Sequence, residues 1–250
     1  MAKSLACGVT LLGVLFAVPG CAAEGDAKAG ERQLREHLEN VHPDLAVDSV
    51  RPTPLEGVYE VVSGTRVLYV SEDGRYFIRG SLIDLHNERD LTAERRNGLI
   101  HDAVNAVGDD RMLVYEPANG RAEHTITVFT DTSCPYCQRL HEELLVLMEQ
   151  HPVRVRYLLY PRAGVDAGAA DTMRDVWCAP DPQAAMTAAK RGESVPARES
   201  GCNTPIAEHY ELGQRIGVRG TPYLLVGEDT SPVTGYRPPD QLLSILGISP

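Results

Sequence analysis

The stretch "FTDTSCPYCQRLHEE", residues 129–143, holds Cys134 and Cys137 separated by Pro135 and Tyr136, with His141 four residues further on. Two cysteines at this spacing fit a redox dithiol, half of a metal site or a structural bridge. The flanking sequence supplies the setting. "HTITVFT", residues 124–130, is a β-rich, mostly apolar run of the kind a buried strand requires. Beyond the cysteines, Leu140, Leu144, Leu147 and Met148 fall on one side of a helix. "VRVRYLLYP", residues 153–161, then alternates Val153, Val155, Tyr157 and Leu159 as a second strand. Strand, helix and strand at these lengths predict a parallel βαβ unit, with Cys134 where the first strand hands over to the helix.

That junction has a chemistry of its own. Pro135 suits the first helical position, because its missing N–H would have no helical partner there. The helix N-terminus presents unpaired N–H groups and the positive end of the dipole, which favour a thiolate. Cys134 is therefore expected to titrate below a free cysteine and to attack disulfides. Cys137, nearly one turn further in, is expected to be less exposed and to resolve the mixed disulfide. The competing readings are an inert local bridge and a metal site. A closed zinc site usually takes four ligands, often from a second short-spaced pair, and no such pair follows. No metal and no cofactor are expected, and His141 reads as a surface or packing residue. "RGTPYLL", residues 219–225, places Thr221-Pro222 just before an apolar strand, where proline is tolerated.

The whole chain is consistent with a packed globular protein that leaves the cytoplasm. It has 250 residues, 43% of them hydrophobic, and a net charge of -11. An acidic chain without a basic block is a poor nucleic-acid binder, since phosphate contacts need clustered Lys and Arg. Residues 1–23 read as a signal peptide: Lys3, then the uncharged run "LACGVTLLGVLFAVPG", then small residues. Two fates are open. Cleavage after Ala23 would release the protein, or Cys21 in "VPGC" would become a lipidated N-terminus. Export puts the chain in an oxidising compartment where disulfides persist. Cys7 is lost with the signal, and Cys134, Cys137, Cys178 and Cys202 remain, allowing three pairings. The two-residue spacer makes Cys134 and Cys137 the natural local pair and leaves Cys178 with Cys202.

Residues 24–85 read as a small α+β unit. "AGERQLREHLENVHP" is helical in type, with Leu34, Leu38 and Val41 at helical spacing. Short β-rich segments follow, and Asp73-Gly74 in "SEDGR" predicts a hairpin with a type I′ turn. About 60 residues build only a marginal core, and such units often gain stability by dimerising. Residues 86–112 predict a linker helix with Leu99, Ile100, Ala103, Val104 and Val107 on one face. Residues 113–250 hold the βαβ unit, a mostly helical stretch over 167–215, a hairpin from "TPYLLVG" and "PVTGYRP", and a final helix in "PDQLLSILG".

Taken together, "VFTDTSCPYCQRLHEE", "VRYLLYPR", "WCAP", "HYELGQRIGVRGTPYLL" and "GYRPP" resemble, in order and spacing, the bacterial periplasmic disulfide isomerases of the DsbC/DsbG family. The resemblance covers nearly the whole chain after residue 23. It implies an α/β thioredoxin-like catalytic domain with a helical insertion, joined by a linker helix to a small α+β dimerisation domain. It implies that Pro222 is a cis-proline facing Cys134 and Cys137, and that Thr221 gives backbone contacts to bound peptide. It also implies a structural disulfide between Cys178 and Cys202. The family forms homodimers in the periplasm, acts on misfolded exported proteins that contain disulfides, and is kept reduced by a membrane thiol reductant of the DsbD type. The implied activity is thiol–disulfide interchange, isomerising or reducing non-native disulfides. A dithiol oxidase of the DsbA kind and a non-enzymatic periplasmic chaperone are the alternatives. Pro135-Tyr136 departs from the Gly-Tyr common in the best-known isomerases, which puts the balance of isomerase, reductase and oxidase activity in question.

Overall fold

The computed structural model describes residues 20–228 and 230–249, with side chains from residue 28 onward. Residues 1–19 of the expected signal peptide, and the side chain of Cys21, the expected lipidation site, lie outside the described residues. Among the described residues no helix is long and apolar enough to cross a membrane. The chain divides into two compact units. One holds the chain up to Val61 with Tyr69–Ile78, and the other holds Val62–Leu68 with everything from Arg79 onward.

In the first unit, α1 (Gly20–Val41) precedes a sheet ordered β1 (Ser49–Pro52), β2 (Val58–Ser63), β3 (Arg66–Ser71), β4 (Phe77–Ile78). Leu34 and Leu38 of α1 are buried, as are Val50, Tyr59, Val61, Tyr69 and Val70 of the strands. Val41 departs from the expected apolar face. As the last residue of α1 it is 55% exposed. The β3–β4 hairpin also departs from the two-residue turn that Asp73-Gly74 suggests. Ser71 N–H donates to the Tyr76 carbonyl, so four residues form the loop. The Asp73 carboxylate accepts from both the Ser71 hydroxyl and the Arg75 N–H, and these bonds stabilise the wider turn.

The second unit begins with a short ribbon of β5 (Ile83–Asp84) and β6 (Arg89–Asp90). Asp90 then caps α2 (Leu91–Asn105), its carboxylate accepting from the Ala93 N–H. A five-stranded sheet follows, built from β7 (Leu113–Tyr115), β8 (His124–Thr130), β9 (Val153–Leu159), β10 (Tyr223–Val226) and β11 (Val233–Thr234). Its spatial order is β11-β10-β8-β9-β7. Strands β8 and β9 run parallel from His124 opposite Val153 to Thr130 opposite Leu159. α3 (Pro135–Gln150) is their crossover, and this completes the βαβ unit. β10 and β11 are antiparallel, as the hairpin reading expects.

Strand alternation divides the core between the two faces of this sheet. Ile126, Val128, Val155, Tyr157, Leu159, Leu224 and Val226 point to one face, with Leu140, Leu144 and Leu147 of α3. α4 (Gly168–Trp177), α5 (Pro182–Lys190) and α7 (Pro239–Ile245) contribute to the same cluster. Phe129, Leu158, Tyr160, Tyr223 and Leu225 point to the other, where Ile100 and Val104 of α2 meet Leu212 and Ile216 of α6 (Ile206–Ile216). The helical stretch is tied by a disulfide from Cys178, at the end of α4, to Cys202, in the loop before α6; their Cα atoms are 6.2 Å apart. Closing a loop of this size contributes about 3 kcal/mol by restricting the unfolded chain.

Gly213, inside α6, shows how closely that helix packs. A Cβ there would lie 2.4 Å from a ring carbon of Tyr160. That ring is held by its hydroxyl, which donates to the Val218 carbonyl at 3.0 Å, and by stacking on Tyr210 at 5.2 Å. Helix propensity favours alanine over glycine by about 1 kcal/mol, but overpacking against a fixed ring costs about 1–3 kcal/mol. We expect Gly213→Ala to lower stability by about 1 kcal/mol in urea unfolding. A stabilised variant would mean that the ring swings aside.

Candidate active site

The site forms where β8 ends. After Thr130 the chain makes a short turn through Asp131, Thr132 and Ser133, and α3 starts at Pro135 with Cys134 as its N-cap. The turn is held by Asp131, whose side chain is 2% exposed. One carboxylate oxygen accepts from the Ser133 N–H at 2.8 Å and from its hydroxyl at 2.7 Å. The other accepts from the Arg162 N–H at 3.0 Å and from its guanidinium at 3.2 Å. Burial raises the Asp131 pKa, but the Ser133 and Arg162 donors outweigh it and the carboxyl is held below its ordinary range. The Asp131 carbonyl in turn accepts from the Cys134 N–H at 3.2 Å, and Gln138 N–H closes the first turn on the Cys134 carbonyl at 2.9 Å.

Cys134 and Cys137 are both unbonded thiols. Neither sulfur reaches the surface, since the residues are 1% and 2% exposed. Cys137 nevertheless lies deeper in the packed junction of strand, helix and facing loop, and both depth and neighbouring groups separate the two. Burial pushes the Cys134 thiol up. The Cys137 N–H, the Thr221 and Cys137 side chains and the Arg162 charge together outweigh burial, and the net shift is downward. For Cys137 burial prevails, against the pull of the Lys190 charge and a backbone hydrogen bond from Asp131, and the thiol is pushed up. The first sulfur is thus the better thiolate, and the second holds its proton longer.

The loop before β10 faces this pair. The Thr221-Pro222 peptide is cis, and the Cys134 thiol donates to the Thr221 carbonyl at 3.3 Å. The Thr221 hydroxyl is buried and approaches both sulfurs without the geometry of a full hydrogen bond, so its donor remains available to whichever sulfur ionises. Pro135 occupies the first turn of α3, and Tyr136 is 63% exposed, its ring 6.4 Å from that of Tyr236. Arg139 lies over the Tyr236 ring, and Glu143 accepts from its hydroxyl.

His141 is a packing residue, fully buried in the interior. Its ring nitrogens lie 3.0 Å from the hydroxyls of Tyr157 and Thr187. Burial pushes its pKa down to about 4. Among the described residues no group of three or more His, Cys, Asp or Glu is arranged to hold a metal ion. Two residues beside the cysteines were not singled out in the sequence. One is Asp131; the other is Lys190, 3% exposed, whose ammonium donates to the Thr130 hydroxyl at 2.6 Å and the Asp131 carbonyl at 2.9 Å. A signal for Lys190 exists: it follows the buried Met186 by four residues, which puts it on the inward face of α5.

The depressed carboxyl of Asp131 makes a signed prediction. Its stabilising effect is fully present above the unfolded pKa of about 3.9 and is lost as pH falls through the lower folded value. Asp131→Asn should therefore cost about 2 kcal/mol at pH 7 in urea unfolding, where hydrogen bonds to a charge are lost. The gap to the parent should narrow below about pH 4. An equal gap at pH 7 and pH 3 would contradict the charged role of this carboxylate.

The family model described as "Disulfide bond isomerase protein N-terminal domain" matches residues 22–93, and that described as "Thioredoxin-like domain" matches residues 114–247. The thiol:disulfide interchange protein DsbC of Dickeya dadantii is 35% identical over 234 residues, 93% of each chain. That of Escherichia coli K12 is 32% identical over 225 residues, covering 90% of this chain and 91% of the relative. Among solved structures, a disulfide interchange protein from Neisseria gonorrhoeae is 33% identical, with a TM-score of 0.47, covering 55% of this chain and 94% of its own. The thioredoxin-like unit, with a dithiol at the start of its crossover helix, and the matched N-terminal domain therefore have one reading: this chain belongs to the DsbC family of thiol:disulfide interchange proteins.

Proposed function

We propose that Cys134 is the attacking thiol and Cys137 the resolving thiol of a periplasmic disulfide isomerase. The observation that carries this is the placement of the pair, Cys134 at the N-cap of α3 against the Thr221 carbonyl and Cys137 buried inside the helix, a setting that pulls the first thiol's pKa down and pushes the second's up. The Cys134 thiolate attacks one sulfur of a non-native disulfide, forming a mixed disulfide and releasing the other sulfur as a thiolate. That thiolate can attack elsewhere in the substrate until a sulfur displaces Cys134, which leaves the substrate rearranged and the protein reduced. Alternatively Cys137 attacks the Cys134 sulfur. The substrate then leaves reduced, the protein carries a Cys134–Cys137 disulfide, and a dithiol reductant must restore it. A membrane thiol reductant of the DsbD type fits that requirement.

In this reading Thr221 and Pro222 line the peptide site opposite the dithiol, and Pro135 and Tyr136 set the redox poise. Residues 24–85 form the dimerisation domain, 86–112 the linker helix and 113–250 the catalytic domain, with residues 1–23 directing export to the periplasm. The substrates are exported proteins with misplaced disulfides. The homodimer is supported by the matched N-terminal domain and by the edge strand β4, where Phe77 and Ile78, with Tyr76 just before them, are exposed. Such an edge is a ready surface for pairing.

The test is reactivation of a substrate with scrambled disulfides by the reduced protein. We expect Cys134→Ala to abolish it, and Cys137→Ala to accumulate mixed disulfides visible on a non-reducing gel. Full activity in Cys134→Ala would overturn the assignment. Sedimentation of the intact protein separates this account from a DsbA-like oxidase, a dimer supporting the isomerase and a monomer the oxidase.

A further inference from the structure

Lys190 is a buried cation without a resident counter-ion. It closes α5 at 3% exposure. Among the described residues its ammonium has two neutral oxygens as partners, the Thr130 hydroxyl and the Asp131 carbonyl, and no carboxylate at ion-pair distance. The Asp131 carboxylate acts on Lys190 through its charge, but its own hydrogen bonds go to Ser133 and Arg162. Burying an ammonium in this way is costly unless something answers its charge.

The charged and titratable groups around it come from every neighbouring element. Cys134, Cys137 and His141 face it from α3, Asp131 from the end of β8, and Arg162 from the segment after β9. His141 is neutral, Arg162 repels it, and Asp131 is shared with Arg162. The anion that remains is a thiolate. The Asp131 carbonyl links the two elements, accepting from the Lys190 ammonium at 2.9 Å and from the N–H of Cys134, the N-cap of the helix that carries Cys137, at 3.2 Å.

We propose that Lys190 is a positioning residue for the resolving step, its buried ammonium stabilising the Cys137 thiolate as that thiolate forms beneath the Cys134–substrate bond. The step balances without a further reactant. Cys137 releases its proton, and its sulfur lone pair forms the Cys137–Cys134 bond. The Cys134–substrate bond breaks, the electron pair leaves on the substrate sulfur, and that sulfur takes up a proton. Lys190 stays an ammonium throughout and exchanges no proton.

The effect depends on pH with a defined sign. Burial lowers the Lys190 pKa to about 8, with the Cys137, Asp131 and Cys134 charges opposing that shift. The ammonium is therefore present at neutral pH, and its help to Cys137 fades as pH rises past about 8.

This inference rests on Cys137 being the resolving thiol, so the tests read the Lys190–Cys137 coupling without turnover. In a Cys134→Ser background only Cys137 reports, and its alkylation by iodoacetamide is followed against pH. Adding Lys190→Met, which keeps an apolar chain of similar length, should slow alkylation at pH 7 about tenfold, one unit of thiol pKa. An unchanged Cys137 titration would overturn the proposal. A second measurement keeps Lys190 in place. The ammonium of Lys190 is titrated by NMR in the full chain labelled at lysine, as Cys134→Ser and as Cys134→Ser/Cys137→Ser. The midpoint should be higher when Cys137 is present, and equal midpoints would overturn the coupling. Failure of either leaves the order of attack to the Cys134→Ala and Cys137→Ala variants.

Discussion

The first turn of an α-helix leaves backbone N–H groups without helical partners, and in this protein a sulfur stands beside them. Cys134 is the N-cap of α3; its thiol donates to the Thr221 carbonyl and makes no cap hydrogen bond, but the Cys137 N–H behind it favours the thiolate. Pro135 fills the first helical position without needing a partner. Burial pushes both thiols upward, and at Cys134 it is outweighed by the Cys137 N–H together with the Thr221 and Cys137 side chains and the Arg162 charge. The asymmetry of the pair, which interchange chemistry needs, follows from one cysteine preceding the helix and the other lying inside it.

The sheet supplies the rigidity. β8 is the central strand, paired with β9 on one side and β10 on the other. It brings the cysteines to its end, while β10 begins with the Thr221-Pro222 loop. Both halves of the site therefore project from adjacent strands whose side chains are buried on both faces. The Asp131 carboxylate beside the dithiol is satisfied by Ser133 and Arg162, so its charge is fixed before substrate arrives.

Much of this was legible in the residues. The alternation of Val153, Val155, Tyr157 and Leu159 marked β9, and the apolar run before Cys134 marked β8, because both report burial directly. The position of Cys134 at the strand-to-helix junction followed from those two. What escaped was set by contacts distant in sequence. Asp131 looks like an ordinary turn residue until Arg162, 31 positions later, reaches it. Lys190 at the end of a short helix looks like a solvated basic residue complementing the dipole, whereas packing of α5 turns it inward to Thr130. That Cys134 is covered at all was also out of reach, since a helical position fixes direction but not what the facing loop covers. In the first unit the four-residue turn after β3 depends on the Asp73 side chain competing for backbone donors, which outweighs the preference of Asp-Gly for a tighter turn.

The central claim is that the start of α3, with the Thr221 loop and Arg162, makes Cys134 the reactive thiol, while burial holds the proton on Cys137. It is tested most directly by the pH dependence of alkylation of the reduced protein, with the two cysteines resolved by mass spectrometry. The account predicts that Cys134 titrates below the ordinary thiol value of about 8.5 and that Cys137 titrates above it. A Cys134 that titrates at or above the ordinary value, or no difference between the two, would contradict it.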